Sequence, residues 1–138
     1  MTGDIIPYLL QKRYATETQI ADALAKPLPM RDALIATGVH PVHIAEAWAV
    51  ETGHPLVDLS KFQPEQAAVR SIPDYVARRH NVIPIKKDGN VLYVAMPDPN
   101  NLQAADDLRL MSRSQIKGIV ADPEQIRAAI ETYYGGAA

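Results

Sequence analysis

Three histidines and one pair of adjacent carboxylates are the first residues to test for chemistry. His40 and His43 stand three apart at an expected helix start, and His54 follows at a helix end. Imidazoles at i and i+3 can ligate one metal from one helix face, but the spacing supplies no third ligand, and capping or surface roles account for them simply. Asp106-Asp107 is expected in the first turn of a helix, where the helix dipole favours carboxylates without any catalytic role. Ser60, Ser71, Ser112 and Ser114 sit in no G-x-S-x-G elbow. Neither G-x-x-x-x-G-K-[ST] nor G-x-G-x-x-G occurs, so the chain cannot by itself hydrolyse ATP through a P-loop. Cysteine is absent, which removes disulfides, thiol nucleophiles and thiolate metal sites. Arg78-Arg79-His80 and Lys86-Lys87 form a local basic cluster, readable as a solvated face or as contacts to an anionic partner. Tyr133-Tyr134 reads as packing for a last helix rather than a base-stacking platform. No catalytic residue, metal or cofactor is expected.

The composition bounds the rest. In 138 residues, 47% are apolar and 22% charged, which excludes disorder and collagen-like classes. A formal net charge of -2 provides no global basic field for nucleic acid. Apolar runs fall far short of the roughly 20 residues that a membrane helix needs. The start lacks a basic segment before an apolar core, so it does not read as a signal peptide.

The elements that must position these residues change in texture along the chain. Ile5, Ile6, Leu9 and Leu10 recur at helical steps. Thr16 with Gln19 makes a capping-box pattern ahead of Ile20, Ala23 and Leu24. Pro27 and Pro29 end that helix. Met30–Thr37 reads as a helix with Gly38 at its end. Pro41 opens another over Ile44, Ala47 and Trp48, stopped by Gly53 and Pro55. The expected organisation is a helical subdomain over residues 1–54 and an α+β domain over 55–138. Leu56–Leu59 is a short strand or an extended connector, and Pro64–Val69 is one helical turn or two. A helix over Asp74–His80 is followed by strands at Val82–Ile85 and Val91–Met96 around an Asp88-Gly89 turn. Pro84 requires an edge position or a bulge. Asn101 caps a helix over Leu102–Met111, Ile116–Val120 is a third strand, and Asp122 caps a helix that Gly135-Gly136 terminates. The fold class is α+β: a bundle of short helices, then a small three-stranded sheet packed with helices. The first half also admits a repeat. Leu9-Leu10…Tyr14-Ala15-Thr16…Ile20…Leu24 can be laid over Ala33-Leu34…Val39-His40-Pro41…Ile44…Trp48, either as a duplication or as two ordinary helical hairpins.

Taken in order, the second half carries a resemblance. It reads His54-Pro55-Leu56-Val57-Asp58-Leu59, Ile72-Pro73-Asp74-Tyr75-Val76-Ala77-Arg78-Arg79-His80, Val82-Ile83-Pro84-Ile85, Leu92-Tyr93-Val94-Ala95-Met96-Pro97-Asp98-Pro99, Ala105-Asp106-Asp107-Leu108 and Ile126–Tyr134. Over about residues 53–134 this resembles the N-terminal domain of the type II secretion and type IV pilus assembly ATPases. That is the general secretory pathway E N-terminal domain family, to which the cyclic di-GMP-binding MshE N-terminal domain is related. The resemblance implies a non-catalytic cytoplasmic interaction module. It would dock a motor on the cytoplasmic domain of an inner-membrane platform protein, without nucleic acid or direct membrane insertion. The basic cluster supplies the expected contact residues, Arg78, Arg79, Lys86 and Lys87.

A subset of the family binds cyclic di-GMP through a doubled helical segment, roughly R-L-G-x-x-L…G…L-x-x-x-L-x-x-Q. Leu9, Ile20, Leu24, Leu34, Gly38, Ile44 and Trp48 keep its frame, with Arg31 as the candidate replacement for the missing arginines. The polar contacts depart from the pattern. Asp4 and Pro29 stand at the Arg positions, Arg13 at the first Gly, and Pro27 and Glu51 at the Gln positions. A degenerate cyclic di-GMP-binding regulatory domain is therefore the alternative expectation.

Overall fold

A computed structural model of the chain describes residues 5–135, and the chain divides into two compact units after Gly53. Asp4 and Gly136 lie outside the described residues.

The first unit is made of four short helices. Helix α1 (Ile6–Gln11) carries Pro7 in its first turn and buries Leu9. Helix α2 (Glu17–Leu24) starts on a complete capping box: the Thr16 hydroxyl accepts from the Gln19 amide at 3.1 Å, and Gln19 Oε1 accepts from the Thr16 amide at 2.8 Å. Helix α3 (Met30–Ala36) follows the two prolines. Helix α4 (Pro41–Thr52) is stopped by Gly53 in the left-handed region at φ 71°. The core is Ile5, Leu9, Ile20, Ala23, Ala33, Leu34, Val39, Ile44 and Ala47.

The two helical hairpins turn in the same way. Leu9 C=O accepts from the Tyr14 amide at 2.9 Å, and Leu34 C=O accepts from the Val39 amide at 3.0 Å. The bonds Lys12 to Tyr8 and Arg13 to Leu10 reappear as Thr37 to Ala33 and Gly38 to Ile35. Both turns pass through positive φ, at Arg13 (60°) and Gly38 (101°). The repeat is thus a repeat of backbone geometry. Arg13 holds a conformation that glycine adopts freely and that costs another residue about 1 kcal/mol.

In the second unit, Leu56 makes a single parallel bridge to Val120, so this stretch is an extended connector rather than a strand. Asp58 clamps it. One carboxylate oxygen accepts from the Ser60 amide and hydroxyl and from Gln125 Nε2, while Gln125 Oε1 accepts from the Leu59 amide. Those bonds hold the Asp58 carboxyl below its ordinary pKa, the Ser60 hydroxyl being the largest cause. Helix α5 (Gln66–Val69) is one turn, and α6 (Asp74–His80) ends at Asn81, φ 51°.

Strands β1 (Ile83–Asp88) and β2 (Val91–Met96) form the antiparallel hairpin. Pro84 sits on the edge strand, and the register shifts between Pro84 and Lys86, so edge position and bulge occur together. Helix α7 (Leu102–Ser112), capped by the Asn101 side chain, carries the chain back so that β3 (Gln115–Val120) pairs parallel to β2. Helix α8 (Pro123–Tyr134) starts on Asp122, and Tyr134 donates to Val69 C=O at 2.8 Å. The core collects Leu92, Val94 and Met96 with Leu108, Ile126 and Ile130.

Two expectations change. Asp106 and Asp107 lie in the second turn of α7, beyond the strongest reach of its N-terminal dipole. They serve as partners instead: Asp106 pairs with Arg109 at 3.2 Å and Asp107 with His80 at 2.8 Å. His80, with its side chain only 9% exposed, therefore ties α6 to α7 rather than joining a basic surface.

Gly118 is where β3 meets the Pro97–Asn101 loop. A Cβ there would lie 2.9 Å from Pro99 Cβ and 3.1 Å from Met96 Sδ. The methionine can yield, but the proline cannot. Gly118→Ala should therefore destabilise the chain by about 1–3 kcal/mol, although alanine suits a strand better than glycine. Urea denaturation checks this, and an unchanged midpoint would show that the loop gives way.

Candidate interaction surfaces

In the helical unit the sequence reading missed a polar cluster. Glu46 on α4 accepts hydrogen bonds from the hydroxyls of Tyr8 on α1 and Tyr14 in the first turn, the latter at 2.9 Å. The Tyr14 ring stacks on His43, with centroids 3.7 Å apart and planes 5° apart. Lys12 Nζ lies 5.8 Å from the Tyr8 ring centroid. The hydrogen bond from Tyr8 holds the Glu46 carboxyl below its ordinary pKa, helped by Tyr14 and by the nearby His43 and Lys12. The same bond pushes Tyr8 up to about 12, and Tyr14 is raised for the same reason. His40 caps α4, its Nδ1 accepting from the Val42 amide at 3.1 Å. The two closely spaced histidines are thus occupied by a cap and a stack. No local motif carries these contacts, because Tyr8 and Tyr14 precede Glu46 by more than thirty residues.

The frame residues for a second messenger divide by exposure. Leu9, Leu34 and Ile44 are fully buried and Ile20 nearly so, which makes them core. Trp48 packs partly against that core, Leu24 is 59% exposed, and Arg31 lies 3.7 Å from Asp32.

The four basic residues singled out in the second unit do not form one patch. Arg78 is held by Glu131 and Asp74, and it donates to Gly135 C=O at 3.4 Å. Those carboxylates raise its pKa further, Glu131 most. Arg79 is exposed at the end of α6 that leads into β1. Lys86 and Lys87 are exposed towards the other end of β1, about 10 and 13 Å along the strand from Ile83. Cross-strand register adds a residue the sequence did not suggest. Lys86 pairs with Tyr93 and Tyr93 with Lys117, so one row of the sheet sets an aromatic ring between two exposed lysines.

The unit's charges are also unevenly committed. Among the described residues from His54 onward, every carboxylate except Asp88 holds a hydrogen bond or an ion pair. Arg79, Lys86, Lys87 and Lys117 hold no ion pair among those residues. A balanced composition therefore conceals a surface whose uncommitted charges are mostly positive.

The Glu46 cluster makes the helical unit's stability depend on pH at both extremes. The depressed Glu46 contributes stability that is full above the ordinary carboxylate range and lost as pH falls through its lowered pKa. The raised Tyr8 contributes stability that is full below pH 10.0 and lost as pH rises towards about 12. Trp48, the only tryptophan, reports this unit by fluorescence. Tyr8→Phe should lower the melting temperature at neutral pH, and its difference from the parent chain should shrink at both extremes. A difference constant with pH would remove the hydrogen bond as the cause.

Comparison with known proteins agrees with this architecture. Type IV pilus assembly ATPases PilB from Myxococcus xanthus and Thermus thermophilus are 36% and 33% identical over 103 and 114 residues. These alignments cover 74% and 78% of this chain but only 18% and 13% of those proteins, so the chain spans a small fraction of their length. A solved structure of MshE with cdg superposes with a TM-score of 0.74 at 25% identity, covering 95% of this chain and 99% of that one. The N-terminal domain of XpsE shares the fold, with a TM-score of 0.68 at 24% identity, covering 95% and 94%. The MshEN domain matches residues 52–138, and the chain belongs to that family.

Proposed function

We propose that the chain is a non-catalytic docking module of a type IV pilus assembly or type II secretion ATPase-type protein. In this reading it works in the cytoplasm, attaching the motor or another joined domain to the cytoplasmic part of an inner-membrane platform protein. The observation that carries the reading is the charge commitment of the second unit. Its carboxylates other than Asp88 are engaged internally, while Lys86, Lys87 and Lys117 are exposed on the sheet and Arg79 on α6 without an ion pair among the described residues. Such a surface attracts acidic partners and steers their approach. Arg79, Lys86 and Lys87 are the contact residues in this reading. Arg78 supports the helix pair α6–α8 behind them, so its reversal would disturb the fold and test nothing about docking.

Arg79→Glu and the double change Lys86→Glu, Lys87→Glu should each weaken binding of the platform protein's cytoplasmic domain by an amount of order 1 kcal/mol per charge at low salt. The loss should shrink as salt is raised. Affinity unchanged from the parent chain in both variants, measured by titration calorimetry, would remove this surface from the docking reading.

A second reading is a cyclic di-GMP-binding regulatory domain, favoured by the likeness to a structure of MshE with cdg and by the repeated turn of the helical unit. Against it stand Pro27 and Pro29, which contribute no side-chain hydrogen bond to a phosphate or guanine, and Glu51, which repels an anion. Titration with cyclic di-GMP should therefore give no saturable heat and no shift in melting temperature. Saturable binding in the micromolar range or tighter would make the chain a receptor with a divergent site.

A further inference from the structure

We propose that the hairpin end of the sheet is a docking face for an anionic lipid surface. Parallel pairing of β2 with β3 brings separate pieces of the chain to this end. Asn90 in the hairpin turn accepts from the Gln115 amide at 2.7 Å, so the turn abuts the start of β3. Arg113 caps α7 just before that strand, and Lys117 lies within it. Lys86 and Lys87 end β1 beside the turn. None of these four cations holds an ion pair among the described residues; Asp88 lies beside them in the hairpin, and Glu65 Oε1 accepts from the Lys87 amide at 3.1 Å.

The same end carries exposed apolar surface. Leu110 and Met111, in the last turn of α7, are 71% and 42% exposed. A single exposed leucine means little. Two apolar side chains beside four uncommitted cations form the combination that adsorbs to an anionic bilayer, apolar groups dipping among headgroups while ammonium groups meet phosphates. The shape favours a lipid surface over a small anion. The turn residues Asp88, Gly89 and Asn90 are all exposed. The clefts recorded in this unit, of about 350 and 230 Å³, are lined by α8 and the Leu59–Arg70 segment and share no residue with this end.

The test uses the whole chain with vesicles and no protein partner, so its failure is separate from failure of the docking reading. Vesicles of one part phosphatidylglycerol to two parts phosphatidylcholine should carry the chain in flotation at low salt, and pure phosphatidylcholine vesicles should not. Each cation near such a surface is worth roughly a fivefold change in partition. The triple variant Lys86→Glu, Lys87→Glu, Lys117→Glu should therefore bind at least about tenfold more weakly. The corresponding triple change to arginine should keep binding, which separates charge from any loss of fold. Leu110→Ser with Met111→Ser should lower binding several-fold and leave its salt dependence intact. No flotation, equal flotation on neutral vesicles, or an unchanged triple glutamate variant would overturn the proposal. Competition by polyglutamate as effective as that by the vesicles would also overturn it, identifying instead a face for acidic polypeptide.

Discussion

The parallel pairing of β2 with β3 is the constraint on which the second unit depends. Two parallel strands cannot be joined by a tight turn, so the chain must travel back along the sheet before β3 begins. Helix α7 makes that return, and its packing sets two further requirements. The loop that leaves β2 crosses close over β3, which is why position 118 has no room for a side chain. The helix also has to be fastened to the rest of the unit, and the His80–Asp107 bond does so from α6. The return then delivers the end of α7 and the start of β3 to the hairpin end of the sheet. The cations there come from distant parts of the sequence, and topology alone makes them neighbours.

The helical unit rests on a different economy. Its helices, 6 to 12 residues long, are too short to be stable alone, since isolated helices under about 12–15 residues are marginal in water. Two turns of the same backbone geometry stack them so that Leu9 and Leu34 meet Ile20 and Ile44 in one core. The Glu46 carboxylate, shared by Tyr8 and Tyr14, adds a polar tie between the first turn and the last helix. The apolar positions that resemble a ligand frame are thus also the positions a small core requires. Their retention is evidence about folding before it is evidence about a ligand.

Much of the fold was legible because its signals are local. Thr16 with Gln19, Asn101, Asp122 and the prolines at 29 and 41 each act over a few residues, and each marks the boundary it suggests. The Asp88-Gly89 signal falls one residue early: β1 runs on past Ile85 to Asp88, and Gly89-Asn90 makes the turn. The site was less legible because its members are not local. Arg78 and Arg79 adjoin in sequence and both are exposed, yet one is engaged by Asp74 and Glu131 while the other holds no ion pair among the described residues. Lys117 joins Lys86 only through the register of two strand pairs. The Asp106-Asp107 pair misled for a related reason. Its distance from the cap residue Asn101, rather than its charge, decides whether the helix dipole matters.

Charge commitment also bears on what kind of work the second unit suits. A catalytic carboxylate needs an environment that changes its proton affinity toward the task and leaves it open to a substrate. Here Asp58 is lowered by bonds that fix the connector to α8, and Asp122 is engaged by the amides of Glu124 and Gln125. These carboxylates are acceptors within the scaffold. Cations left without partners sit instead on a scaffold stiffened by those acceptors, and long flexible lysines at a sheet's end give reach without a fixed geometry. In the proposed docking reading, that division serves the attraction and orientation of a larger anionic surface.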